Sequence, residues 1–190
     1  MTVNAGIFRQ YDIRGIVGKD LTVEAARAVG GAYARYLREH GAAGEVVVSR
    51  DNRLHGEMLR DALVQGLTEA GVRVVDIGVV PTPVNYWALH NLPVAGGIQI
   101  TGSHNPPEYN GFKMSVGTAS IHGDHIQALY GYIRDGKIER AAAAGTVRTE
   151  QVLDRYVADV IARTGKLSRR LKVVVDAGNE IGRASCRERV

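Results

Sequence analysis

Apolar residues recur along this chain with two alternating periods, and the alternation predicts a layered α/β protein. Thr22 is placed to cap a helix running to about His40, with Val23, Ala26, Val29, Tyr33 and Leu37 on one stripe. Gly41 and Gly44 end it, and residues 45–49 read as a strand. A second helix is predicted from about Gly56 to Ala70, its inner face formed by Leu59, Ala62, Leu63, Gly66 and Leu67, with Gly71 as the stop. Strands are expected at 72–77, near 94–101 and at 111–116. Between the first two of these, Pro81 and Pro83 open a short helix whose Tyr86 and Trp87 suit core packing better than ligand binding. This β-α-β-α-β order implies an α/β fold, a mixed-sheet α/β/α sandwich with helices on both faces.

The pattern breaks at the small residues Ala141 to Gly145, after a helix carrying Tyr130 and Tyr132. Beyond them Val152, Leu153, Tyr156, Val157, Val160 and Ile161 repeat at helical spacing, which predicts a helix over 149–163, and a strand follows at 171–176. So short a segment cannot bury a core of its own. Residues 1–145 therefore read as one domain and 146–179 as the truncated start of a second. The tail at 180–190 shares none of this patterning and holds the single cysteine, Cys186. It resembles a translated sequencing adapter, so no disulfide or thiol chemistry is argued from it.

Composition narrows the class without naming a function. Hydrophobic residues make up 45% of the 190 and charged residues 23%, ordinary values for a globular protein. No apolar run approaches a membrane span, and the amino terminus lacks a basic region followed by an apolar core. A cytoplasmic protein is expected. The net charge of +4 has no basic run behind it, so nucleic acid is not an expected partner.

The candidate chemistry lies at Thr101-Gly102-Ser103-His104-Asn105-Pro106-Pro107. The apolar stretch before it places Ser103 at the carboxyl end of a strand, where open α/β sheets bind ligands. Pro106 and Pro107 fix φ and remove two donors, so the loop is stiff and cannot become a helix. Ten residues after the serine, Lys113 lies on the next strand, and a hairpin-like return would bring its ammonium back over the loop. A lysine, a histidine and backbone amides around one hydroxyl suit an anionic group such as a phosphate on that oxygen. The same spacing also suits a polar surface hairpin whose serine caps a turn. The residues by themselves leave both readings open.

These residues resemble the α-D-phosphohexomutases, and most nearly the bacterial phosphomannomutase/phosphoglucomutase group. The serine loop matches that family's active-site loop, and Asn110-Gly111-Phe112-Lys113 the segment after it. Ile7-Phe8-Arg9-Gln10-Tyr11-Asp12-Ile13-Arg14-Gly15, Ser49-Arg50-Asp51-Asn52-Arg53 and Val80-Pro81-Thr82-Pro83-Val84 match in family order. The resemblance implies four domains, of which residues 1–145 are the first, with the remaining domains of the same chain as partners.

It also implies a reaction, the interconversion of hexose 1-phosphates and 6-phosphates through a phosphoserine and a bisphosphorylated sugar. Ser103 would carry the phosphoryl group, with His104, Lys113 and Arg14 as further catalytic residues and Tyr11 and Asn105 binding substrate or phosphate. A Mg2+ ion would touch an oxygen of the phosphate on Ser103, its aspartate ligands lying in the family's second domain. No Asp-Gly-Asp-x-Asp pattern exists in this sequence, and Asp124 and Asp176 are isolated. His122 and His125 match no metal motif. Arg50, Asp51 and Arg53 read as a salt-bridged loop fixing the domain rather than as catalytic groups. The 190 residues are expected to be inactive by themselves. The alternatives are a phosphoglucosamine mutase and a non-catalytic phosphosugar-binding module. A serine hydrolase is disfavoured because Gly-x-Ser-x-Gly is absent around Ser103.

Overall fold

A computed structural model describes residues 3–165, 169–172 and 174 of the chain. The elements run β1 (Ile13–Ile16), α1 (Val23–Glu39), β2 (Glu45–Arg50), α2 (Gly56–Glu69), β3 (Arg73–Val79), α3 (Thr82–Asn91), β4 (Val94–Ile100), β5 (Tyr109–Val116), β6 (Ala119–Ser120), α4 (Asp124–Arg134), β7 (Val147–Thr149) and α5 (Leu153–Thr164). Thr22 caps α1 by accepting a bond from the Ala25 amide at 3.2 Å, and Gly71 leaves α2 with φ +85°. The expected helices at 22–40 and 56–70 form with those boundaries to within a residue or two.

One mixed sheet orders its strands β1-β5-β4-β2-β3-β7, with β6 on β5. The pairs β4–β2, β2–β3 and β3–β7 are parallel, whereas β1–β5 and β5–β4 are antiparallel. Side chains alternate across each strand and so serve two cores. Val46, Val48, Ile98, Ile100, Phe112 and Met114 face the larger core with α1, α2 and α4. Val47, Val75 and Ile77 face a smaller one with Val84, Ala88 and Leu89 of α3. The result is the expected mixed-sheet α/β/α sandwich.

The sheet extends past residue 145, where the sequence pattern placed a domain boundary. Val147–Thr149 pairs with β3 in parallel, Val74 opposite Val147, and the Glu150 amide bonds the Asp76 carbonyl at 3.0 Å. That strand occupies the residues where the helix expected at 149–163 would begin, so α5 starts at Leu153. Val152 is buried in the smaller core. Of the strand expected at 171–176, Leu171, Lys172 and Val174 are described and lie in no strand, while the other three positions and the whole tail at 180–190 fall outside the described residues.

The topology decides where loops meet. Because β2 and β4 are parallel neighbours with Arg50 opposite Ile100, the chain leaves both strands side by side at one sheet edge. The antiparallel β5 begins at that same edge, with Phe112 opposite Ile100. The carboxyl end of β1 also arrives there, Ile16 facing Tyr109.

Candidate active site

Four elements converge on residues 101–109. Ser103 has φ +52°, the only positive φ at a non-glycine among the described residues. That region is disfavoured for a side chain with a Cβ and persists only where the surroundings impose it. The Ser103 amide donates to Thr101 Oγ1 at 2.9 Å. Its Oγ lies 3.4 Å from Nδ1 of His104, which is exposed. The expected proximity of serine and histidine is therefore a direct one.

Arg14 reaches the loop from β1. It is only 5% exposed and donates through Nη1 to the Gly102 carbonyl and to Asn105 Oδ1 (3.4 Å), and through Nη2 to Asp12. Its position requires Gly111, since a Cβ there would lie 2.0 Å from the Ile13 carbonyl and 3.0 Å from Arg14 Nε. Lys113 stands opposite Gln99, on the face of β5 that also carries Gly111 and away from Phe112 and Met114. It is half-buried. Tyr11, by contrast, is 78% exposed, just before the strand that carries Arg14. The structure thus brings Ser103, His104, Asn105 and Arg14 into one contact set, with Lys113 on the adjoining strand and Tyr11 in solvent.

Two residues read as structural from sequence touch the same loop from the segment after β2. Arg53 donates through Nη2 to the carbonyls of Ser103 (2.8 Å) and Asn105 (2.7 Å), and through Nη1 to those of Pro106 (2.7 Å) and Tyr109 (3.0 Å). Asp51 accepts from the Gly102 amide at 3.1 Å and from Arg53 Nε at 3.2 Å. His55 bonds the Pro107 carbonyl through Nε2 at 3.0 Å. Since a carbonyl only accepts, that nitrogen carries the proton, and Nδ1 is left to accept from Asn110 Nδ2 at 3.2 Å. A cavity of about 440 Å³ opens between segments 52–55 and 105–108. Beneath the loop, Asn85 of α3 donates to Ser49 at 2.7 Å, Ser49 bonds Gln99, and Gln99 donates to the Val80 carbonyl at 3.1 Å. Sequence reasoning passed over His55, Asn110, Gln99 and Asn85. The one signal that could have found His55 is its place just after β2, in the same segment as Asp51 and Arg53.

The sequence profile of the phosphoglucomutase/phosphomannomutase α/β/α domain I matches residues 5–140. The chain belongs to that family. A phosphomannomutase/phosphoglucomutase of Pseudomonas aeruginosa is 44% identical over 185 residues, covering 95% of this chain and 38% of the relative. A Thermococcus kodakarensis phosphoglucomutase/phosphomannomutase is 35% identical over 184 residues, covering 93% of this chain and 40% of the relative. A crystal structure of a phosphoglucomutase/phosphomannomutase family protein from Burkholderia thailandensis superposes with a TM-score of 0.88 at 45% identity, over 95% of this chain and 40% of that one. The chain thus spans about two fifths of the length of these family members, and the match bears out the resemblance drawn from the serine loop.

Proposed function

We propose that this chain is the phosphoryl-carrying domain of a hexose-phosphate mutase acting on mannose or glucose phosphates, with Ser103 as the carrier. The observation behind this reading is the geometry of Ser103, a serine in left-handed backbone at the end of a central strand, its loop gripped by two arginines. The family membership of the chain supports it.

In the proposed cycle a hydroxyl of a hexose monophosphate attacks the phosphorus on Ser103. The new sugar O–P bond forms, the Oγ–P bond breaks, and the hydroxyl proton is transferred to a base. The bisphosphorylated sugar then returns its other phosphoryl group to Oγ, and the sugar oxygen it leaves recovers a proton. His104 Nδ1, 3.4 Å from Oγ, is placed to hold a proton there. The Lys113 ammonium would offset charge on the equatorial oxygens of the transferring group. Arg14 and Asn105 act through the shape of the loop, and Tyr11, in solvent, is the proposed contact for a substrate phosphate.

Among the described residues no group of three or more His, Cys, Asp or Glu side chains is placed to hold a metal ion. The described residues therefore do not make up a Mg2+ site, and this chain's proposed contribution to one is an oxygen of the phosphate on Ser103. Among the described residues no helix is long and apolar enough to cross a membrane, and a cytoplasmic location belongs to the proposal.

The test joins residues 1–165 to the remaining domains of the Pseudomonas aeruginosa relative. Formation of glucose 6-phosphate from glucose 1-phosphate and peptide mass spectrometry are then followed. Turnover and a phosphate on Ser103 are expected, both lost in Ser103→Ala, and no turnover is expected from the 190-residue chain by itself. Phosphate or near-normal turnover persisting in the alanine variant would refute the reading.

A further inference from the structure

We infer that Arg53, braced by Asp51, is a positioning residue that holds Ser103 in its left-handed conformation and so aims Oγ for phosphoryl transfer, a role that rests on the reading of Ser103 above. The guanidinium touches no reacting atom. It acts on the serine through the serine's own carbonyl.

A guanidinium has five N–H donors, and each one here has an acceptor. Nε serves Asp51, Nη1 serves Pro106 and Tyr109, and Nη2 serves Ser103 and Asn105. Four carbonyl oxygens turned toward one point repel each other unless a cation sits among them. A planar fork meets four such acceptors where a lysine ammonium, with three donors, could not. The side chain is only 9% exposed and Asp51 only 7%, so little of the pair is open to water. Asp51 closes the clamp by binding the amides of Gly102 and Arg53 as well as the guanidinium. Gly102 is part of the same device, because a Cβ there would lie 2.3 Å from Arg53 Cζ. Arg14 grips the loop from the opposite side, through the Gly102 carbonyl and the Asn105 side chain, and leaves the Ser103 carbonyl to Arg53.

The test uses the 190-residue chain and needs no turnover. Amide hydrogen exchange, thermal melting and the φ-dependent NMR coupling of Ser103 are compared in wild type, Arg53→Lys, Asp51→Asn and Arg53→Ala with and without added guanidinium. Removing charge-assisted bonds should speed exchange at 102–105 by about ten- to a hundred-fold and shift the Ser103 coupling, while the strands exchange as before. Added guanidinium should slow the loop again in Arg53→Ala. An unchanged Ser103 coupling in Arg53→Lys, or faster exchange spread evenly over the whole sheet, would overturn the positioning role. If Arg53→Lys fails to fold, Arg53→Gln, which keeps an amide donor but loses the fork, provides the second case, and an unchanged Ser103 coupling there would equally overturn the role. Because none of these readouts involves phosphate, their failure is separate from failure of the phosphoserine reading, which the chimera tests.

Discussion

The loop at 101–109 and the segment from 147 to 165 are held to the same sheet by different means. The loop has little apolar anchorage and is fixed by directional bonds from two arginines that are almost wholly buried. The later segment has three exposed strand residues, a helix with no buried residue, and Val152 as its apolar anchor. Besides the pairing of β7 with β3 and the ion pair of Arg148 with Glu45, its ties run to α3, where Trp87 donates to Asp159 at 2.8 Å, meets Tyr156 edge-on and lies under Arg155. The helix turns Leu153 and Ile161 outward, 45% and 61% exposed. Bonds with fixed directions can hold an unfavourable backbone conformation in place. A three-residue strand pairing and a small apolar contact keep an element in place without imposing such a conformation.

The largest expected effect lies on the side of the loop. In the chimera, Lys113→Met should lower turnover by about 10²–10³-fold, the usual cost of one preorganised charged donor, with its melting temperature unaltered. Turnover equal to wild type would remove the lysine from the mechanism. Gly111→Ala attacks the scaffold beneath Arg14 and, by forcing apart β1 and β5, should cost about 3 kcal/mol in urea unfolding. An equally stable variant would mean that this contact relaxes freely.

The other side of the comparison is tested by truncation. A chain ending at 145 loses β7 and Val152, whose burial is worth about 1.5–3 kcal/mol, and should be less stable by that order than one ending at 165. Equal urea midpoints would make 147–165 a passive appendage. The smallest effect concerns pH. The Arg148 guanidinium holds the Glu45 carboxyl below its ordinary value. A carboxylate with a depressed folded pKa contributes its stability above the unfolded value, about 4.3, and loses it as pH falls through the folded one. Exchange at 147–149 should therefore quicken below about pH 4. Arg148→Ala should remove that dependence at a cost under about 1 kcal/mol, since the pair is part exposed.

The helices and central strands were legible because local periods report them directly. Thr22, Gly71 and the stripe from Val23 to Leu37 state where α1 and α2 run. β7 was not legible, since three residues carry no period and only pairing with β3 makes them a strand. The serine loop announced itself through its diproline and its adjacent histidine. Arg14 was reached only through the family resemblance, and Arg53 was read as a local ion pair.

Sequence by itself determined the α/β class, the two main helices, the loop that presents Ser103, and the family. Tertiary structure alone decided that segments fifty residues apart share one sheet edge, as Gly102 and Asp51 do. It also decided that Arg53 spends its donors on carbonyls of that loop. The reason is physical: a period or a turn is written in neighbouring residues, whereas a backbone carbonyl is the same group in every residue, and which one meets a guanidinium depends on strand order and register.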